Sequence, residues 1–301
     1  MTTQTKPAIH AHRGGRGRRP ENTLSAIAYA LQHAADGVEV DLCVTADDEI
    51  VLHHDLCLNP DATRDARGEW IARRIPIRDL PLDALRRYDV GRVRPGSGYA
   101  KRFPEQTPAN GARIPTLDEC VELLLVNDHR AILNLDAILN LEMKSKPSQP
   151  GWTPEPEHYV SLVLKKLERL RFPLERVFLQ SFDWELMQLA KRRRPDLNIG
   201  LLTRKKSKEY SWIHRNGNKR RTAIRTADLP KLVKQSGGDV WSCDYRGLTK
   251  PLLKQASNLK LKVYAWTVNE KPDATRMARW GVDAVTTDYP ERCREWFHGR
   301  R

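Results

Sequence analysis

Long apolar stretches are missing from this chain. No run approaches the roughly 18–20 apolar residues that a membrane-spanning helix requires, which excludes such a helix. The opening residues, MTTQTKPAIHAHRGG, lack the apolar core of a secretory leader, so the protein reads as cytoplasmic. Cysteine is scarce as well. Cys43, Cys57, Cys120, Cys243 and Cys293 are odd in number and none falls in a CxxC pair. That excludes a disulfide framework and a thiolate metal site, and it implies reduced thiols. Acidic residues fall short of basic ones, 38 against 52, leaving a formal net charge of +14. Such a balance favours an anionic partner: nucleic acid, anionic lipid met at a membrane periphery, or a small phosphate-bearing substrate. Internal repeats are absent too. A length of 301 residues suits a single α/β barrel domain spanning 1–301.

Eight short apolar runs read as buried strands: Ala8–His12, Gly37–Asp41, Ile138–Lys144, Arg176–Ser181, Asn198–Leu202, Asp239–Cys243, Lys262–Trp266 and Asp283–Thr287. Most are continuous rather than alternating, as parallel strands covered on both faces should be. Helical patterns separate them. Leu24, Ile27, Ala28 and Leu31 recur at i, i+3, i+4 and i+7, as do Val160, Val163, Leu164 and Leu167. Gly37 stands where the first helix must end. The alternation predicts an α/β fold, a (β/α)8 barrel, although a doubly wound sheet gives a similar string. Two segments break the rhythm. Residues 56–112 are rich in Arg, Pro and Gly, and residues 203–225 hold nine Lys or Arg against a single Glu209. Both follow strand ends, so both are expected as excursions on the C-terminal, site-bearing face.

Three segments carry chemistry. In GVEVDLCVTADDEIVLHHD, Glu39 and Asp41 are two apart on a strand and share a face. Burying both carboxylates together calls for a compensating cation or proton. The polar turn Ala46-Asp47-Asp48-Glu49 predicts a β-hairpin. With Asp47-Asp48 as a two-residue turn, Asp41 falls opposite His54. In AHRGGRGRRPENT, His12 ends the first strand, and Arg13-Gly14-Gly15 makes a turn that exposes backbone N–H groups to an anion. In LNLEMKSKP, Glu142 and Lys144 share a strand face. If the three strands are barrel neighbours, Glu39, Asp41 and Glu142 converge. An all-oxygen site of this kind suits Mg²⁺, Ca²⁺ or Mn²⁺ rather than zinc. His12 and His54 flank it as acid–base candidates, and Arg13 and Lys144 offer positive charge to a phosphate.

In this order HRGGRGRRPENT, GVEVDLCVTADDEIVLHHD, RIPTLDE, LNLEMK, LQSFD, VYAWTVN and AVTTDYP resemble the glycerophosphodiester phosphodiesterases, over residues 8 to about 292. The resemblance implies a TIM-type barrel that hydrolyses glycerophosphodiesters to glycerol 3-phosphate and an alcohol with one divalent cation. It implies Glu39, Asp41 and Glu142 as metal ligands and His12 and His54 as the catalytic pair. Arg13 and Lys144 would then contact phosphate, and Trp266 would line the glycerol pocket. Asp48 replaces the glycine usual in the hairpin turn. His10 replaces an aliphatic residue and is expected to be a hydrogen-bonded core histidine. Three competing readings are a related barrel phosphodiesterase acting on lysophospholipids or phosphoinositides, a nucleic-acid-binding protein, and a catalytically dead scaffold, which the presence of all five proposed metal and catalytic residues opposes. The second rests on TRKKSKEYSWIHRNGNKRR, which no familiar nucleic-acid motif accompanies.

Overall fold

The computed structural model describes residues 6–129, 137–149, 151–204, 213–215, 218–220 and 226–299. Eight parallel strands close into a barrel: β1 (Ala8–Ala11), β2 (Gly37–Val44), β6 (Ile138–Met143), β7 (Val177–Ser181), β8 (Asn198–Thr203), β11 (Val240–Asp244), β12 (Lys262–Trp266) and β13 (Ala284–Thr287). Each pairs with its neighbour in barrel order, and β1 against β13 completes the ring with Ala11 beside Thr287. The (β/α)8 barrel read from the sequence is thus the fold.

Helices cover the outside: α1 (Leu24–Gln32), α4 (Leu117–His129), α5 (Pro156–Leu170), α6 (Trp184–Arg193), α7 (Leu229–Gln235), α8 (Lys250–Asn258), α9 (Lys271–Trp280) and α10 (Pro290–His298). Alternate strand residues, among them Ile9, Val38, Val40, Leu139, Leu141, Leu179, Ile199, Val263 and Val285, join the helices in one apolar core. Leu141→Ala in that layer would cost about 2–5 kcal/mol. None of the helices among the described residues is long and apolar enough to cross a membrane. All five cysteines are buried free thiols.

The other strand residues point inward, and there the filling is polar and aromatic. His10 is buried beside Asn140 Nδ2 (3.3 Å), edge-on to Tyr264 at 5.1 Å. Burial lowers its pKa to about 4. A Cβ at position 37 would stand 2.7 Å from the His10 ring, so Gly37 makes room for this core histidine.

β2 turns back as β3 (Ile50–Leu52), pairing Leu42 with Leu52 and Val44 with Ile50. Here one expectation is corrected. The turn has three residues, not two: Thr45 N donates to Glu49 O (3.0 Å), and Asp48 takes the left-handed conformation with φ 63°. The register therefore slips by one residue. His53, not His54, lies opposite Asp41, its N–H bonded to Asp41 O at 3.0 Å. Asp48 is held by Arg78 (2.7 Å) and His158 (2.8 Å), which anchor it where glycine is usual.

The excursion after β3 contains β4 (Cys57–Leu58) antiparallel to β5 (Ile75–Pro76), and the short helices α2 (Leu82–Leu85) and α3 (Gly98–Arg102). Elements this short leave no period in sequence. Leu58, Ile71, Ile77, Leu85 and Ile114 pack on Cys43 and Val51 of the hairpin as a second small core. After β8 there is one antiparallel pair, β9 (Ile213–Arg215) with β10 (Asn218–Arg220). The rest of the expected basic loop beyond Arg204, up to residue 225, lies outside the described residues.

Candidate active site

At the C-terminal ends of the strands lies a cavity of about 540 Å³. It is bordered by His12, Arg13, Glu39, His54, Glu142, Lys144 and Trp266, so seven of the eight residues singled out from sequence meet there. The eighth, Asp41, is buried directly behind them. Parallel register explains the convergence, because Asp41 and Glu142 are partners on neighbouring strands. Ligand-capable oxygens of Glu39, Asp41 and Glu142 all lie within 4.8 Å of one another.

The first turn is built to serve this cluster. After β1 the chain passes through Arg13 (φ 52°), Gly14 (φ 77°) and Gly15 (φ 95°). A Cβ on Gly14 would meet the α1 backbone at 2.7 Å, so only glycine fits. The turn aims Arg13 N–H at Glu39 Oε2 (2.8 Å). The Arg13 guanidinium is buried and reaches Glu21 (2.9 Å) and Asp41 (3.2 Å). Burial opposes its charge, but the two carboxylates outweigh that and hold the guanidinium protonated. Asn22 donates to Asp41 Oδ2 (2.9 Å) and accepts from Asp41 N–H (3.1 Å), and Thr23 caps α1 through Ala26 N (3.2 Å).

Lys144 follows β6 and bonds Glu142 Oε1 at 2.6 Å, with Asp41 Oδ1 at 3.4 Å. Burial opposes its charge, yet Glu142 and Asp41 raise its pKa to about 12. The carboxylates themselves separate. Glu39 is pushed well up by burial and by the like charges of Asp41 and Glu142. Asp41 is held low despite burial, by Arg13 and Lys144. Both Glu39 Oε1 and Asp41 Oδ1 are buried without a hydrogen-bond partner.

His12 Nδ1 donates to Asp288 Oδ1 at 2.6 Å, and its Nε2 lies 4.0 Å from Glu39. Burial, then Arg16, lowers the His12 pKa to about 4, partly offset by Asp288. Asp288 stays ionised because Arg16 and His12 outweigh its burial. It also accepts from Arg16 Nε (2.7 Å) and Asn269 Nδ2 (2.7 Å). His54 Nδ1 donates to Asp55 (2.8 Å), and burial, Arg13 and Lys144 lower its pKa. His53, which also lines the cavity, is tied at Nδ1 to Asp55 O (2.6 Å). Trp266 lies edge-to-face with Phe182 at 5.7 Å, with its Nε1 buried and unpartnered.

Asp288, Glu21 and Asn22 had no role assigned from sequence. Each sits in a motif already quoted, AVTTDYP or RPENT. Their signal was an acid one position past a strand end, or an acid and an amide two and one positions before a helix cap, which means little until the partner is known.

Residues 12–292 match the glycerophosphoryl diester phosphodiesterase family model. A glycerophosphodiester phosphodiesterase of Caldanaerobacter subterraneus is 29% identical over 289 residues, covering 95% of this chain and 96% of that one. A Silicibacter pomeroyi crystal structure, assigned as a glycerophosphoryl diester phosphodiesterase, superposes with TM-score 0.85 at 32% identity, covering 97% and 93% of the two chains. An Oleispira antarctica phosphodiesterase solved with its product sn-glycerol-3-phosphate shares the fold, with TM-score 0.71 at 22% identity and coverage of 97% and 96%. With the family match running through nearly the whole barrel, the chain belongs to the glycerophosphoryl diester phosphodiesterase family and is a phosphoric diester hydrolase.

Proposed function

We propose that this enzyme hydrolyses glycerophosphodiesters to glycerol 3-phosphate and an alcohol, with one divalent cation and two histidines. The observation that carries the reading is the cluster of Glu39, Asp41 and Glu142, with the free nitrogen of His12 beside it. The donor set fits a hard cation: three carboxylates, no sulfur, and two buried oxygens without hydrogen-bond partners. Glu39, Asp41 and Glu142 would hold Mg²⁺, Ca²⁺ or Mn²⁺, which when bound supplies Lewis-acid stabilisation of charge on the phosphoryl oxygens.

The remaining work belongs to the chain. Arg13 and Lys144 carry fixed positive charge at the cavity wall and orient the phosphate. His12 presents Nε2 unprotonated, because Asp288 holds the other nitrogen as the donor. That atom accepts a proton from the nucleophile, either water or the neighbouring glycerol hydroxyl. His54, whose Nδ1 also donates to an acid, enters the step as an imidazolium paired with Asp55, gives its Nε2 proton to the leaving oxygen and ends neutral. Trp266 and Phe182 offer an apolar wall to the glycerol carbons.

The test is turnover of a panel of glycerophosphodiesters with and without chelator, with a lysophospholipid in detergent beside them. Release of glycerol 3-phosphate from water-soluble diesters is expected. Exclusive turnover of the lysolipid would overturn the substrate reading.

A further inference from the structure

A phosphodiester has two arms, and the site has room for both. Beyond His54 the catalytic cavity opens into a second one of about 760 Å³. His54, Lys144, Phe182 and Arg204 border both spaces, so phosphorus placed at the carboxylate cluster has one arm beside Trp266 and the other in the second cavity. Arg74 also borders both, and the far wall of the second cavity is made by Lys146 and Trp152.

Its aromatic faces are already in use. The Arg204 guanidinium lies 4.6 Å over Phe182, and Lys146 Nζ lies 5.3 Å over Trp152. A quaternary ammonium is recognised by aromatic faces that meet it without a competing cation. Here the protein's own cations stand on those rings. The three acids of the wall are committed as well, Glu142 to Lys144 Nζ (2.6 Å). Asp55 is bonded by His54 (2.8 Å) and Arg74 (2.9 Å), and Asp183 by Ser145 Oγ (2.7 Å) and by Glu185 N (3.2 Å) at the start of α6. An arm entering this space therefore meets cationic heads rather than open rings or unengaged carboxylates.

We propose that the second cavity is the subsite for the alcohol arm and that it selects arms carrying negative charge over quaternary ammonium arms. This rests on the hydrolytic reading above and adds the class of head group. The contacts are screened by water, so the selectivity is moderate and weakens with salt.

The experiment compares kcat/KM at low salt, with divalent cation present, for glycerophosphoinositol phosphate, glycerophosphoinositol and glycerophosphocholine. The first two differ only by a phosphate on the arm. The wild type is expected to prefer the phosphorylated arm by about three- to tenfold, with choline lowest. In Lys146→Gln the preference should fall toward parity, while kcat/KM on glycerophosphoinositol stays within about twofold. Lys146 is exposed and borders the second cavity but not the catalytic one. Choline turned over as well as the phosphorylated arm, or an unchanged preference in the variant, would overturn the subsite alone. Turnover of none of the three would instead remove the hydrolytic reading beneath it.

Discussion

His12 Nδ1 lies 2.6 Å from Asp288 Oδ1, although 276 residues separate them. Barrel closure makes this contact. Ala11 and Thr287 are register partners at the ends of β1 and β13, so the residue that follows each strand meets the other. The aspartate fixes which imidazole nitrogen faces the cavity and supports the positive charge that forms when that nitrogen takes a proton.

Replacing Asp288 by Asn should lower kcat by about 10²-fold or more while the barrel stays folded. The acid limb of the pH–rate profile should also move. Asp288 raises the His12 pKa, so its loss shifts the limb to lower pH. Steady-state kinetics across pH will check both effects. A wild-type profile in the variant would leave Asp288 a structural role only.

Metal dependence has a readout independent of turnover. A cation bound only by the native state raises Tm, by about 2.7 kcal/mol of stabilisation at a hundredfold excess over Kd. Thermal melts with Mg²⁺, Mn²⁺ or Ca²⁺ should show the rise in wild type and lose it in Glu39→Gln and Glu142→Gln. Chelator should abolish activity, with the same ions restoring it. Full turnover in excess chelator refutes the metal assignment.

The histidines should divide by role. His54→Ala is expected to lower kcat by about 10²–10⁴-fold with little change in Tm. His10→Ala, which empties space between Gly37, Asn140 and Tyr264, should act on stability by about 1–3 kcal/mol instead. Circular-dichroism melts beside kinetics decide between them, and the reverse pattern would exchange the two assignments.

Glu21 ties the first turn to the excursion, because it accepts from both Arg13 and the Tyr99 hydroxyl. Burial opposes its charge, but Arg13 and Arg16 lower its pKa from 4.5 to about 2. A folded pKa below the unfolded one contributes stability fully above about pH 4.5, and that stability is lost as pH falls toward 2. Glu21→Gln should therefore be less stable by on the order of 2 kcal/mol at pH 6. The gap should narrow steadily below pH 4.5 in urea titrations. A gap that does not change with pH would show that the carboxylate's charge contributes nothing.

Much of this protein was settled by local pattern. Parallel strands buried on both faces must be apolar runs, and helices packed on one face must repeat near 3.6, so both are legible in one dimension. Glu39 and Asp41 shared a face because strand geometry alternates, whatever the rest of the chain does. Other features needed three dimensions. The hairpin register turned on whether its loop held two residues or three, and Asp48 supports the longer loop because Arg78 and His158 reach it from distant segments. The excursion after β3 has elements too short to show a period, and its small core exists only against Cys43 and Val51. Asp288 is one more acid after a strand until the ring closes and sets it against His12. Closure is a long-range event, fixed by the summed pairing of eight strands, and no window of neighbouring residues contains it.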